Sequence, residues 1–101
     1  MVLLHVDVPI EQVKGFCLKW KVREFSLFGS VLRDDFGPDS DVDVLVELEP
    51  DHPWTLHGWI DMIEELKELF GREVDLVEKA AVRNPFRRRH IMNNRWVVYA
   101  A

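Results

Sequence analysis

The stretch FGSVLRDDFGPDSDVDVLV, residues 28–46, holds three pieces with different backbone demands. Gly29-Ser30 follows an apolar run and suits a strand-to-helix junction, because glycine enters conformations closed to other residues. FGPDS, residues 36–40, carries the Gly, Pro and Asp chemistry of a second turn. From Asp41 the chain alternates. Val42, Val44, Val46 and Leu48 share one face of a strand, while Asp41, Asp43, Leu45 and Glu47 share the other. One face is core, and the other begins with two carboxylates.

Working outward, VREFSLFG is read as a preceding strand, with Val22, Glu24, Ser26 and Phe28 on one face and Arg23, Phe25 and Leu27 on the other. Before it, Ile10, Val13, Phe16, Cys17 and Trp20 fall at helical spacing, and Pro9 suits a first turn. After the central strand, EPDHP leads into a helix from about Trp54 to Phe70. Its apolar stripe is Leu56, Trp59, Ile60, Ile63, Leu66, Leu69 and Phe70, and Gly71 is its stop. REVDLVEK is a third strand, with Val74 and Leu76 facing one way and Glu73, Asp75 and Val77 the other. Asn84 and Pro85 can cap and open a last helix, and the apolar stretch Trp96 to Tyr99 ends the pattern without a defined course. The expected order is αβαβαβα, an α/β (α+β) class.

The 101 residues allow one domain, residues 1–101, and 48% hydrophobic content including 4 Trp and 6 Phe is enough to bury a core. Cys17 is the only cysteine, which excludes a disulfide framework and a Cys-rich zinc site, and its apolar helix face makes it a core residue. No apolar run reaches the ~18 residues of a membrane span and the first residues lack signal-peptide character, so a cytoplasmic location is expected. The net charge of −5 argues against whole-surface attraction to nucleic acid, but all 18 acids precede residue 81 and five arginines follow it. Residues 81–101 are thus a basic segment on an acidic body.

The chemistry follows from the spacing. A Gly-Ser pair lets backbone approach a phosphate, and helix N–H groups with the Ser30 hydroxyl can donate to its oxygens. Asp41 and Asp43, two residues apart on a strand, can jointly hold a hard divalent cation such as Mg²⁺ through oxygen. Asp75, on another strand, can complete a three-carboxylate site for two ions roughly 3.5–4 Å apart.

On these residues the sequence resembles the minimal nucleotidyltransferases of the DNA polymerase β superfamily, whose pattern is a Gly-Ser pair, a DxD pair on the next strand and a third Asp on a later one. The resemblance runs through GSVLRDDFGPDSDVDVLVEL, the long helix, VDLVEK and the basic end. It implies a polymerase β-like fold, a small mixed β-sheet of at least three strands flanked by helices. It also implies catalytic, metal-binding roles for Asp41, Asp43 and Asp75 with two Mg²⁺, and nucleotide-phosphate contacts from Gly29, Ser30 and Arg33. Asp34 stands where the family often has Gly, a departure beside Arg33. The implied reaction moves AMP from ATP to an acceptor hydroxyl. By analogy with stand-alone members, the acceptor is a tyrosine of a HEPN-type RNase toxin, for which the chain serves as antitoxin.

Competing readings are weighed on the same residues. Asp39, Asp41 and Asp43 imitate a calcium loop, but Val44 replaces its Gly and Pro50 its Glu. His5, His52, His57 and His90 form no paired metal motif. Arg83, Arg87, Arg88, Arg89 and Arg95 suit either a solvated face or a binding surface for protein or, less favourably, RNA; Trp96 and Tyr99 favour an interface. A non-catalytic module that silences its partner by complex formation is the main alternative, and transfer to RNA or a small molecule is another. The sequence leaves the oligomeric state open.

Overall fold

A computed structural model describes residues 2–3, 6–33, 36–37 and 39–101, so the expectations for His5 and Asp34 lie outside the described residues. Four strands form one sheet in the order β5-β4-β3-β6: β3 (Val22–Phe28), β4 (Val42–Leu48), β5 (Val74–Glu78) and β6 (Arg95–Ala100). β4 runs antiparallel to β3 and parallel to β5, which makes the sheet mixed, and β6 lies antiparallel on the other side of β3. Two short strands, β1 (Val2–Leu3) and β2 (Val6–Asp7), pair outside this sheet.

Helices α1 (Ile10–Trp20) and α2 (Leu56–Phe70) contribute to the main core, which lies on one side of the sheet. α1 buries Val13, Phe16, Cys17 and Trp20, the predicted stripe, and stops where Lys21 turns left-handed with its N–H on the Cys17 carbonyl. Trp20 joins the two helices: its indole N–H donates to Glu65 at 2.6 Å, and its carbonyl accepts from the Trp54 indole at 2.5 Å. α2 begins at Leu56, two residues later than predicted, with Thr55 before it. Its buried residues are Met62 and Leu66, whereas Leu56 and Ile60 of the predicted stripe are exposed. The buried face is therefore rotated toward Met62.

Strand β4 follows its alternation, with Val42, Val44 and Val46 fully buried in the main core. β3 departs from it. A register shift between Val22 and Glu24 changes the phase of the strand, so Val22 joins Phe25 and Leu27 in the main core while Phe28 belongs to a second cluster. That cluster, Phe28, Leu45, Val82 and Ile91, lies under helix α3 (Pro85–Asn93) on the opposite side of the sheet. Asn84 caps α3 as expected, its side-chain oxygen accepting from the N–H groups of Phe86 at 2.9 Å and Arg87 at 3.2 Å. The chain then ends on a strand rather than a helix. Arg95 donates to the buried Ser26 hydroxyl at 3.0 Å and ion-pairs with Glu24, binding β6 to β3. No helix among the described residues is long and apolar enough to cross a membrane.

Candidate active site

β4 and β5 run parallel with Asp43 opposite Asp75, and on its other side Asp43 pairs with Phe28. Registered neighbours share a face, so both carboxylates project to the α3 side, away from Val42 and Val44. Asp41 precedes β4 by one residue and is exposed. The loop that delivers it is held from β5's approach: Arg72 donates to the carbonyls of Gly37 at 2.7 Å and Ser40 at 3.1 Å and lies over the Phe36 ring at 4.5 Å. This role of Arg72 was not evident from the sequence, where it is only a charge ahead of a strand.

Gly29 follows Phe28 at the end of β3 with φ of 69°, a left-handed conformation that disfavours a side chain. A Cβ built there would collide with the Asp43 carboxylate, so glycine makes the close approach possible. The expected short helix is a single 3₁₀ turn, Gly29–Leu32. Ser30 directs its donors inward: its N–H meets Asp43 Oδ2 at 3.2 Å, and its hydroxyl donates to the Asp41 carbonyl at 2.9 Å and lies 3.5 Å from Asp43 Oδ2. The Gly-Ser pair therefore holds an aspartate in place in this structure.

Burial raises the pKa of Asp43 above the ordinary carboxylate value, and the negative charges of Asp75 and Asp41 push the same way against the Ser30 hydrogen bonds. Three carboxylates are thus near enough to repel, and their donors are hard oxygens of the kind that suit a divalent cation. Among the described residues no three His, Cys, Asp or Glu side chains are gathered into a preformed cage. The donors are right in type, and Asp43 and Asp75 lie on the same side of the sheet. Glu47 lies farther along the strand and pairs with Lys79 at 3.2 Å.

On Gly29, which abuts Asp43, opens a cleft of ≈ 440 Å³. Phe28, Gly29, Leu32 and Arg33 form one wall, and Arg87, His90, Ile91 and Asn94 form the other. The α3 wall was missed among the site residues read from the sequence; the basic run was its only signal. The structure separates those arginines. Arg88 donates to the carbonyls of Lys79 at 3.1 Å and Val82 at 3.4 Å, and Arg95 is bound to Glu24 and Ser26. Arg87 lines the cleft, while Arg83 and Arg89 are exposed outside it.

The chain matches the nucleotidyltransferase domain family over residues 10–98. A candidate protein adenylyltransferase of Methanocaldococcus jannaschii is 33% identical over 73 residues, covering 72% of this chain and 73% of that one. The protein adenylyltransferase MntA of Thermococcus cleftensis is 41% identical over 66 residues, 65% of each chain. A solved complex of the tri-AMPylated Shewanella oneidensis HEPN toxin with an MNT antitoxin contains a chain of the same fold, with TM-score 0.65 and 16% identity over 91% of this chain and 70% of that one. With residues 10–98 matched by the family model and a third of the aligned residues shared with a relative covered over most of its length, the chain belongs to the nucleotidyltransferase domain family.

Proposed function

We propose that the protein transfers AMP from ATP to a tyrosine hydroxyl of a HEPN-type toxin and so acts as its antitoxin. The observation that carries this reading is the register of Asp43 beside Asp75, with Asp41 two residues away and the Gly29-Ser30 turn against Asp43. The protein adenylyltransferase relative and the adenylylated HEPN toxin found with an MNT antitoxin support the choice of donor and acceptor.

Asp41, Asp43 and Asp75 would hold Mg²⁺, two ions in the full site. Bound there, the metal supplies charge neutralisation for the polyphosphate and lowers the pKa of an attacking hydroxyl. The protein's own part is to position the reactants. The acceptor oxygen forms a bond to the α-phosphorus as the bond to the β-phosphate oxygen breaks; pyrophosphate departs and the hydroxyl proton is released. Gly29 and Arg33, on one wall of the cleft, would face the nucleotide phosphates, and Ser30 stands between them against Asp43. A ligand phosphate would compete with Asp43 for the Ser30 N–H, coupling occupancy of the cleft to rearrangement of the carboxylate. A cytoplasmic setting accords with ATP as donor.

The test is co-expression with a candidate HEPN-type toxin, followed by intact-mass and peptide mapping of that partner. An adenylyl increment on a tyrosine, absent with the Asp41→Ala/Asp43→Ala variant, is expected. Silencing of an unmodified partner by both forms would instead favour the binding module, and AMP on RNA would reassign the acceptor.

A further inference from the structure

The cleft beside Asp43 is walled by the Gly29–Leu32 turn and by one face of α3. Positions 87, 90, 91 and 94 follow the i, i+3, i+4, i+7 spacing that aligns side chains along a helix. We propose that Arg87 binds the β- and γ-phosphates of the nucleoside triphosphate, opposite Gly29 and Arg33. This inference rests on the proposed use of ATP as donor.

Three observations support it. First, the ≈ 440 Å³ volume lies within the usual range of small-molecule sites, and Gly29 places the cleft directly beside Asp43. Second, the sheet side of the site carries Asp41, Asp43 and Asp75, so a polyphosphate needs cationic partners elsewhere. Among the described residues the Arg87 guanidinium has no ion-pair or hydrogen-bond partner, whereas neighbouring Arg88 is bound to two backbone carbonyls. A planar guanidinium fork suits phosphate oxygens and favours paired hydrogen bonds. Third, the helix that presents Arg87 is anchored. Asn84 caps its start, Arg88 ties it to the Lys79–Val82 turn, and Ile91 packs with Phe28, the registered neighbour of Asp43. Among the described residues Arg87 is thus an unpaired cation on an anchored helix.

The experiment is calorimetric titration of the full chain with ATP, AMP and inorganic pyrophosphate in the presence of Mg²⁺, using wild type, Arg87→Ala, Arg87→Lys and Arg89→Ala. Arg87→Ala is expected to weaken ATP and pyrophosphate by roughly ten- to a hundredfold, the loss of charge-assisted hydrogen bonds, while leaving AMP unchanged. Arg87→Lys should recover part of the loss, and Arg89→Ala, exposed outside the cleft, should behave as wild type. Unchanged ATP binding in Arg87→Ala, equal loss of AMP, or an Arg89→Ala effect of the same size overturns the Arg87 assignment while leaving the donor intact. Failure of wild type to bind ATP overturns the donor assignment and this inference with it.

Discussion

The two faces of the sheet are built from the same strands and serve opposite purposes. Toward α1 and α2, β3 and β4 present Phe25, Leu27, Val42, Val44 and Val46, all fully buried. Toward α3, the same strands present Ser26, Phe28, Asp43, Leu45 and Glu47, over which Ile91 and Val82 close a smaller cluster and the Asp43 end opens to the cleft. Period-two alternation lets DVDV place stability on one side and charge on the other with no intervening layer. The core face can be closely packed because the carboxylates are kept off it. The α3 face stays open and includes a carboxylate that the fold itself disfavours.

Large-to-small substitutions sharpen this contrast most. Phe25→Ala should cost about 3–5 kcal/mol in denaturant unfolding, whereas Ile91→Ala, in the smaller cluster beside the cleft, should fall near the lower end of the ~2–5 kcal/mol range for its type. Equal costs would break the comparison. Gly29→Ala, at φ of 69° and against Asp43, should lose about 1–2 kcal/mol through backbone strain and also reduce transfer by displacing the carboxylate. Wild-type stability and activity in that variant would remove the close approach from the account.

Asp43→Asn should do the reverse for stability. Because burial and the neighbouring Asp75 and Asp41 raise the native pKa, the folded state holds this proton more tightly than the unfolded chain. Its contribution to stability is present below the ordinary carboxylate value of about 3.9 and is lost as pH rises through the raised native value. At neutral pH the ionised form is therefore a cost. The variant should be more stable at neutral pH, lose this component of the pH dependence of its thermal midpoint, and lose transfer. A less stable variant at neutral pH would contradict the sign. The smallest effect lies deepest in the core face. Burial pushes the Cys17 thiol up to about 12, so an aromatic disulfide reagent should leave it unmodified in the folded protein and react on unfolding. Rapid reaction under native conditions would show the α1 packing to be open.

The candidate aspartates were legible in the sequence because their signal is local: a two-residue period puts Asp41 and Asp43 together, and VDLVEK repeats the pattern at Asp75. Their registration was not, since pairing Asp43 with Asp75 depends on a parallel contact across the whole of α2. Val22 was assigned to the wrong face because the register shift beside Glu24 interrupts the alternation. β6 was undetermined because its place beside β3 rests on a distant edge and on Arg95 reaching Glu24 and Ser26. The same distance effect concealed Arg87. In a helix whose only buried residue is Ile91, little in the apolar pattern tells which arginine faces the cleft and which, like Arg88, binds backbone.

The central claim is that the carboxylates of the open face perform nucleotidyl transfer. It is tested most directly by offering α-labelled ATP and Mg²⁺ to the purified protein together with the proposed HEPN-type partner, in parallel with the Asp41→Ala/Asp43→Ala variant and a chelated control. The account predicts label on the partner with wild type and loss by a factor on the order of a thousand or more when either the carboxylates or the metal is removed. Label that persists in the variant, or no label while wild type still binds and silences the partner, would contradict it.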